Sequence, residues 1–264
     1  MDFSKIRLFL FDMDGTLYLG NNLFPFTKAM LDTIKAQGKT YLFMTNNSSK
    51  SVHDYVKKLE KLGIPAKYED FITSSQATAD YLMKNHPGLR FYVSGTESFK
   101  KELSDAGVDV YTDYSDDIEG VVMGYDTELT YKKLDDVSKL LTLKDIPYIA
   151  ANPDWVCPTE YGYVPDCGSV AEMLFRATGK RPHFIGKPRP EMLTLAMEKF
   201  GYSKDESVMI GDRVYTDIAS GYNAGIDTIF VLSGEGTMAD AENTDTKPTY
   251  IMQNIREVYN TIKK

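Results

Sequence analysis

The sequence predicts an α/β protein built on a doubly wound parallel sheet, and three observations carry that expectation. Short, nearly continuous apolar runs recur, among them IRLFLF at 6–11, TYLFMT at 40–45 and DTIFVL at 227–232. Such runs suit strands buried on both faces of a parallel sheet. Between them lie stretches with apolar residues at helical spacing, several closed by glycine. Alternation of strand and helix is the pattern of βαβ units. Finally, polar segments follow directly after several apolar runs, at the strand end where open parallel sheets bind ligands.

The first strand, 6–11, stops abruptly in DMDGT, where Gly15 permits a tight turn. Residues 26–37 read as a helix closed by Gly38, followed by the second strand at 40–45. Val52, Tyr55, Val56, Leu59 and Leu62 then recur on one helical face, with Gly63 as the C-cap. FIT at 71–73 is a third strand. A second series comprises RFYV (90–93), a helix near 97–106, EGVVMGY (119–125), a helix near 130–141 and PYIA (147–150). Residues 152–168, NPDWVCPTEYGYVPDCG, read as a Pro- and Gly-rich loop before a helix from about Ser169 to Gly179. The last third returns to buried strands at HFIG (183–186), SVMIGD (207–212) and DTIFVL (227–232), with helices at about 190–200 and 215–224. So many alternating elements exceed one ordinary sheet of about five or six strands, and two α/β units are expected. Periodicity does not assign segments to units.

Composition narrows the function. The chain has 264 residues, 42% hydrophobic and 26% charged, ordinary for a soluble globular protein. Its 38 acidic and 30 basic residues give a net charge of −8, which argues against nucleic acid or an anionic membrane as partner. A small phosphorylated molecule is not excluded, because a local cation overrides the global field. Cys157 and Cys167 read as free thiols of a cytoplasmic protein. No signal peptide is expected, and no apolar run reaches the roughly 18 residues of a membrane span.

Four patches carry the candidate chemistry. The first is Asp12-Met13-Asp14-Gly15-Thr16, whose two carboxylates share a side if extended geometry persists; alone it is also a turn with solvated acids. The second, Thr45-Asn46-Asn47-Ser48-Ser49, gathers donors around an anion or simply caps a helix. In the third, Gly186-Lys187-Pro188-Arg189-Pro190, a stiff loop presents one positive charge. The fourth is Gly211-Asp212-Arg213 with Asp217 one helical turn beyond. Each patch has a bland reading by itself, and their conjunction is the stronger observation.

The order acid pair, threonine, lysine, acid pair resembles that of the haloacid dehalogenase superfamily, and the likeness spans the chain. DMDGT matches its first signature; Thr45, Lys187 and Asp212 with Asp217 match the other three motifs. TNNSS, the 152–168 segment and IGKPRPEML narrow the resemblance to the NagD-like branch. That branch implies a Rossmann-like doubly wound parallel sheet core (1–76 and 183–264) with an inserted type II α/β cap domain (77–182).

The resemblance implies a Mg2+-dependent phosphatase. Asp12 is the implied nucleophile, giving an aspartyl-phosphate, and Asp14 the acid/base that protonates the leaving oxygen and later deprotonates water. Asp12, Asp212 and the Asp14 backbone carbonyl are the implied metal ligands. Thr45, the Asn46 amide and Lys187 are the implied phosphate ligands, with Asp217 supporting Lys187 or the metal shell. Tyr215 receives no role. Substrates implied are sugar phosphates, nucleoside monophosphates, glycerol phosphates or pyridoxal phosphate; Asp154, Trp155, Glu160 and Tyr163 are candidate readers of the leaving group, or alternatively Trp155 and the tyrosines simply pack the cap. A homodimer is implied as well. Two alternatives remain: a phosphate-binding regulatory protein without turnover, and a phosphomutase on the same scaffold.

Overall fold

The computed structural model describes residues 3–159 and 161–263. Its chain divides into two compact units: residues 1–45, 52–72 and 187–264 form the first, and 46–51 with 73–186 the second.

The first unit is organised around Leu8–Asp12, in which Leu8, Phe9, Leu10 and Phe11 are fully buried. This strand lies between Ser207–Gly211 on one side and Thr40–Thr45 on the other, in parallel with both. The sheet continues outward through Phe71–Thr73 on one edge and through Asp227–Val231 to Tyr250–Met252 on the other. Strand order therefore reverses at Leu8–Asp12, the topological switch point where open α/β sheets bind ligands beyond the strand ends. Asp12 ends its strand, Thr45 ends the neighbouring one, and Asp212 directly follows the other. Phe9, Phe11, Phe43 and Phe71 supply the large side chains of one core cluster, joined by Met30 and Ile34 of the helix Thr27–Ala36.

The second unit has its own parallel five-stranded sheet, ordered His183–Phe184, Tyr148–Ala150, Gly120–Met123, Arg90–Ser94 and Asp109–Tyr111. Val121, Leu140, Tyr148 and Leu174 pack in its separate core. The fold class expected from the sequence is thus the one observed, with a core in each unit.

Local departures have local causes. The expected loop at 152–168 contains an antiparallel hairpin, Val156–Thr159 with Gly162–Pro165. Both strands of a two-stranded ribbon are edges, so Pro158 and Pro165 are tolerated there. The following helix begins at Cys167, because the Asp166 side chain caps it two residues before the expected start. The helix expected at 215–224 opens with a wide turn in which the N–H of Ile218 reaches back to the carbonyl of Arg213, and regular α-helix begins at Ala219. Sequence reading did not identify the helices Ser74–Asn85 and Ile255–Ile262, nor the strands Asp109–Tyr111 and Tyr250–Met252. No described helix is long and apolar enough to cross a membrane.

Candidate active site

In the first unit, Asp12 and Asp212 at strand ends and Asp217 on the turn beyond meet one lysine, Lys187. Asp12, Asp212 and Asp217 each offer a carboxylate oxygen, and these atoms lie within 4.8 Å of one another. Lys187 donates to Oδ1 of Asp12 and to Oδ1 of Asp217, both at 2.6 Å, and is 3% exposed. The second oxygen of Asp217 accepts from the Arg213 N–H at 3.1 Å. The wide turn at 214–218 sets this geometry by returning Asp217 to the strand end.

Asp212 is held at both oxygens. The Thr16 hydroxyl donates to Oδ1 at 3.2 Å, and the Glu235 N–H donates to Oδ2 at 2.7 Å. Asp14 lies just beyond the end of the strand, in the turn that follows it. Extended geometry stops at Asp12, and the Met13 carbonyl instead accepts the N–H groups of Thr16 and Leu17 in a turn. The Asp14 side chain is half exposed, and its carboxylate lies 3.8 Å from the Lys58 ammonium, outside the three-acid cluster. Thr45 is buried, with its hydroxyl 3.5 Å from the Tyr55 hydroxyl.

Asn46 falls in the second unit. Its side-chain amide donates to both oxygens of Asp154, at 3.1 and 3.2 Å, and its carbonyl accepts from the Asn152 side chain at 2.8 Å. Asp154 is thereby engaged within that unit, while Trp155 and Tyr163 of the hairpin region are exposed. Glu160 lies outside the described residues.

Sequence reasoning missed Thr16 as an Asp212 partner, Lys58 beside Asp14, and the segment Ser233-Gly234-Glu235-Gly236. The last had a readable signal, since it is another polar, glycine-containing stretch immediately after a buried strand.

Electrostatics favour a divalent cation here. With all three ionised, the carboxylates outweigh the one ammonium by two negative charges. Burial, then Asp217 and Asp212, push the Asp12 carboxyl up to about 8, against the opposing pull of Lys187. Burial and Asp217 push Asp212 up to about 6. Burial opposes the charge of Lys187, yet Asp12 and Asp217 together hold its ammonium above the usual lysine range. Hard oxygen donors with a double negative excess fit Mg2+.

A pH-dependent response follows. The folded, metal-free chain keeps protons on Asp12 and Asp212 where the unfolded chain, with ordinary carboxyls at 3.8, has lost them. Stability without metal therefore falls as pH rises between these values. A cation displaces those protons, so it binds more tightly at higher pH. Mg2+ at roughly 100-fold above its dissociation constant at about pH 8.5 should raise the melting temperature by roughly 5–10 °C. The same concentration at about pH 5.5 should raise it much less. Differential scanning fluorimetry with and without Mg2+ reads this, and equal shifts at both pH values would contradict it.

Known proteins resemble this chain over nearly its whole length. Residues 9–109 match the family model for haloacid dehalogenase-like hydrolases, and residues 184–258 match a second, HAD-hydrolase-like model. An acid sugar phosphatase of Staphylococcus aureus is 36% identical over 261 residues, covering 99% of this chain and all of that protein. The structure of a 4-nitrophenylphosphatase from Thermotoga maritima aligns with a TM-score of 0.92 at 38% identity, covering 98% of each chain. A glycerol phosphate phosphatase from Mycobacterium tuberculosis, solved with magnesium, aligns with a TM-score of 0.91 at 30% identity, covering 99% of this chain and 78% of that one. NagD proteins are among the structural neighbours. The chain belongs to the haloacid dehalogenase-like hydrolases, with the NagD-like proteins among its structural relatives.

Proposed function

We propose that this protein is a phosphatase that hydrolyses small phosphate monoesters by way of a phosphorylated Asp12. The observation that carries the reading is the buried Lys187 bridging Asp12 and Asp217, beside Asp212, at the switch point of the sheet. Asp12 and Asp212 would hold Mg2+ with the Asp14 carbonyl. When bound, the ion neutralises phosphate charge and keeps Asp12 ionised.

In the first step an oxygen of Asp12 attacks phosphorus, the bond from phosphorus to the leaving oxygen breaks, and Asp14 gives that oxygen its proton. In the second, Asp14 takes a proton from water, whose oxygen attacks the same phosphorus and releases inorganic phosphate and free Asp12. Thr45 donates its hydroxyl to a phosphoryl oxygen, with the N–H of the next residue, Asn46, beside it. Lys187 offsets charge on the phosphoryl group as it transfers. Asp217, with both oxygens engaged, keeps Lys187 charged and in place.

The second unit serves as the inserted cap that selects the leaving group, with Asp154, Trp155 and Tyr163 as its candidate readers. Sugar and glycerol phosphates stand first as substrates, given the activities named for the S. aureus and M. tuberculosis relatives. Two free thiols fit a cytoplasmic location, and a homodimer is the assembly to look for by sedimentation.

Phosphate release from a panel of sugar phosphates, glycerol phosphates, nucleoside monophosphates, pyridoxal phosphate and p-nitrophenyl phosphate tests the reading. Release should require Mg2+ and stop on addition of EDTA. Phosphate binding without turnover on any member would instead identify a binding protein, and an isomeric phosphate as product would identify a phosphomutase.

A further inference from the structure

We infer that Glu235 is a positioning residue whose clamp by Arg213 and Tyr215 fixes the Asp212 carboxylate and thereby favours Mg2+ over Ca2+. The inference rests on the reading of Asp212 as a metal ligand. Glu235 lies just after the strand Asp227–Val231, and its backbone N–H is the 2.7 Å donor to Asp212 Oδ2. The neighbouring Gly236 N–H donates to the Asp212 carbonyl at 3.0 Å, and the Ser233 hydroxyl donates to the Gly15 carbonyl at 2.8 Å. A Cβ at Gly234 or at Gly15 would collide with the Asp212 carboxylate, so both backbones pack directly on it.

The Glu235 side chain closes the arrangement. Its Oε1 accepts from the Tyr215 hydroxyl at 2.8 Å, and its Oε2 lies 2.9 Å from Nε of Arg213. Arg213 directly follows Asp212, so the Glu235 carboxylate is tied to the segment whose carboxylate its own N–H orients. Slackening either tie frees the 233–236 segment, and with it the direction of Asp212 Oδ2.

Ion size turns this rigidity into selectivity. Mg2+ demands near-octahedral oxygens at about 2.0–2.1 Å, whereas Ca2+ accepts six to eight ligands at about 2.3–2.6 Å in flexible geometry. A wandering carboxylate therefore penalises Mg2+ more. Removing a partner that orients a metal ligand typically weakens metal binding roughly 10–100-fold.

Calorimetric titration of the full chain with Mg2+ and with Ca2+ tests the inference without an activity readout. Glu235→Gln should weaken Mg2+ binding by roughly 10-fold or more and Ca2+ binding by less than about 3-fold. Tyr215→Phe, at an exposed side chain, should shift selectivity in the same direction by a smaller factor. Unchanged Mg2+ affinity in Glu235→Gln, or equal losses for both ions, overturns the inference. Asp212→Asn separates it from the reading beneath: if that variant binds Mg2+ as tightly as the unmodified chain, Asp212 is no ligand and both fall together, whereas lost binding in Asp212→Asn with unchanged Mg2+ affinity in Glu235→Gln overturns the inference alone.

Discussion

Asp12→Asn is expected to reduce Mg2+-dependent phosphate release by roughly 10⁴-fold or more, while making the metal-free protein more resistant to heat at about pH 8.5. The first effect follows from losing the attacking oxygen of the proposed phosphoryl transfer. The second follows from burial and from the crowding of Asp12 by Asp217 and Asp212, which together push its carboxyl up to about 8. Above that value the folded chain carries an ionised group that the unfolded chain accommodates more readily. Asparagine has the shape of the neutral acid and can still accept from Lys187, so it removes the repulsion and keeps the contact. Initial rates on p-nitrophenyl phosphate and melting curves in EDTA measure the two halves. A rate within about 10-fold of the unmodified enzyme, or a lower melting temperature in EDTA, would refute the account.

Lys187→Met is expected to inactivate the protein as well, but with the opposite effect on stability. The substitution preserves much of the side-chain length and removes the charge that joins Asp12 to Asp217. Asp217 is fully buried and the Asp12 side chain only 17% exposed, so the change leaves both carboxylates without their counter-charge. Breaking a buried pair from one side costs about 3–5 kcal/mol. The loss in kcat should be at least about 10²–10³-fold, as for removal of a charge-stabilising donor. The stability deficit should shrink as pH falls, because protonating Asp12, whose carboxyl is already raised by burial and its acidic neighbours, removes charge left unpaired; the sign is that of a raised carboxyl, stabilised toward low pH. Urea denaturation at about pH 8 and about pH 5 measures this, and a deficit independent of pH would count against it. Two variants that silence one reaction should thus move folding free energy in opposite directions.

The central strands were legible because each buries nearly every residue, so the sequence must spell a continuous apolar run, as in Leu8–Phe11. The helix Ser74–Asn85 was not, because its buried face is made mostly of small residues, Ser74, Ser75, Ala77, Thr78 and Ala79, with Leu82 as its large apolar member. Tyr250–Met252, an edge strand of three residues with Ile251 exposed, has too little burial to impose a pattern. In the site, Asp12, Thr45 and Asp212 are readable because strand ends place them, and Lys187 because it opens the Pro-rich loop a few residues after His183–Phe184. Which way Asp14 faces was not readable, since it depends on a turn that abandons the alternation of a strand. The hold of Glu235 on Asp212 was hidden for another reason: a backbone N–H performs it, and every non-proline residue has one.

The central place of Leu8–Asp12 also has a consequence during synthesis. Its partner Thr40–Thr45 is made soon after it, but its other neighbour, Ser207–Gly211, comes about 200 residues later. At about 5–20 residues per second the ribosome needs roughly 10–40 s to supply that neighbour. Throughout this interval one hydrogen-bonding edge of a strand whose first four residues are apolar stays unpaired, an invitation to association with other chains. Truncation before Ser207 should therefore yield insoluble protein rather than a smaller folded core, and nascent chains of this length are natural clients for a chaperone that shields exposed strands.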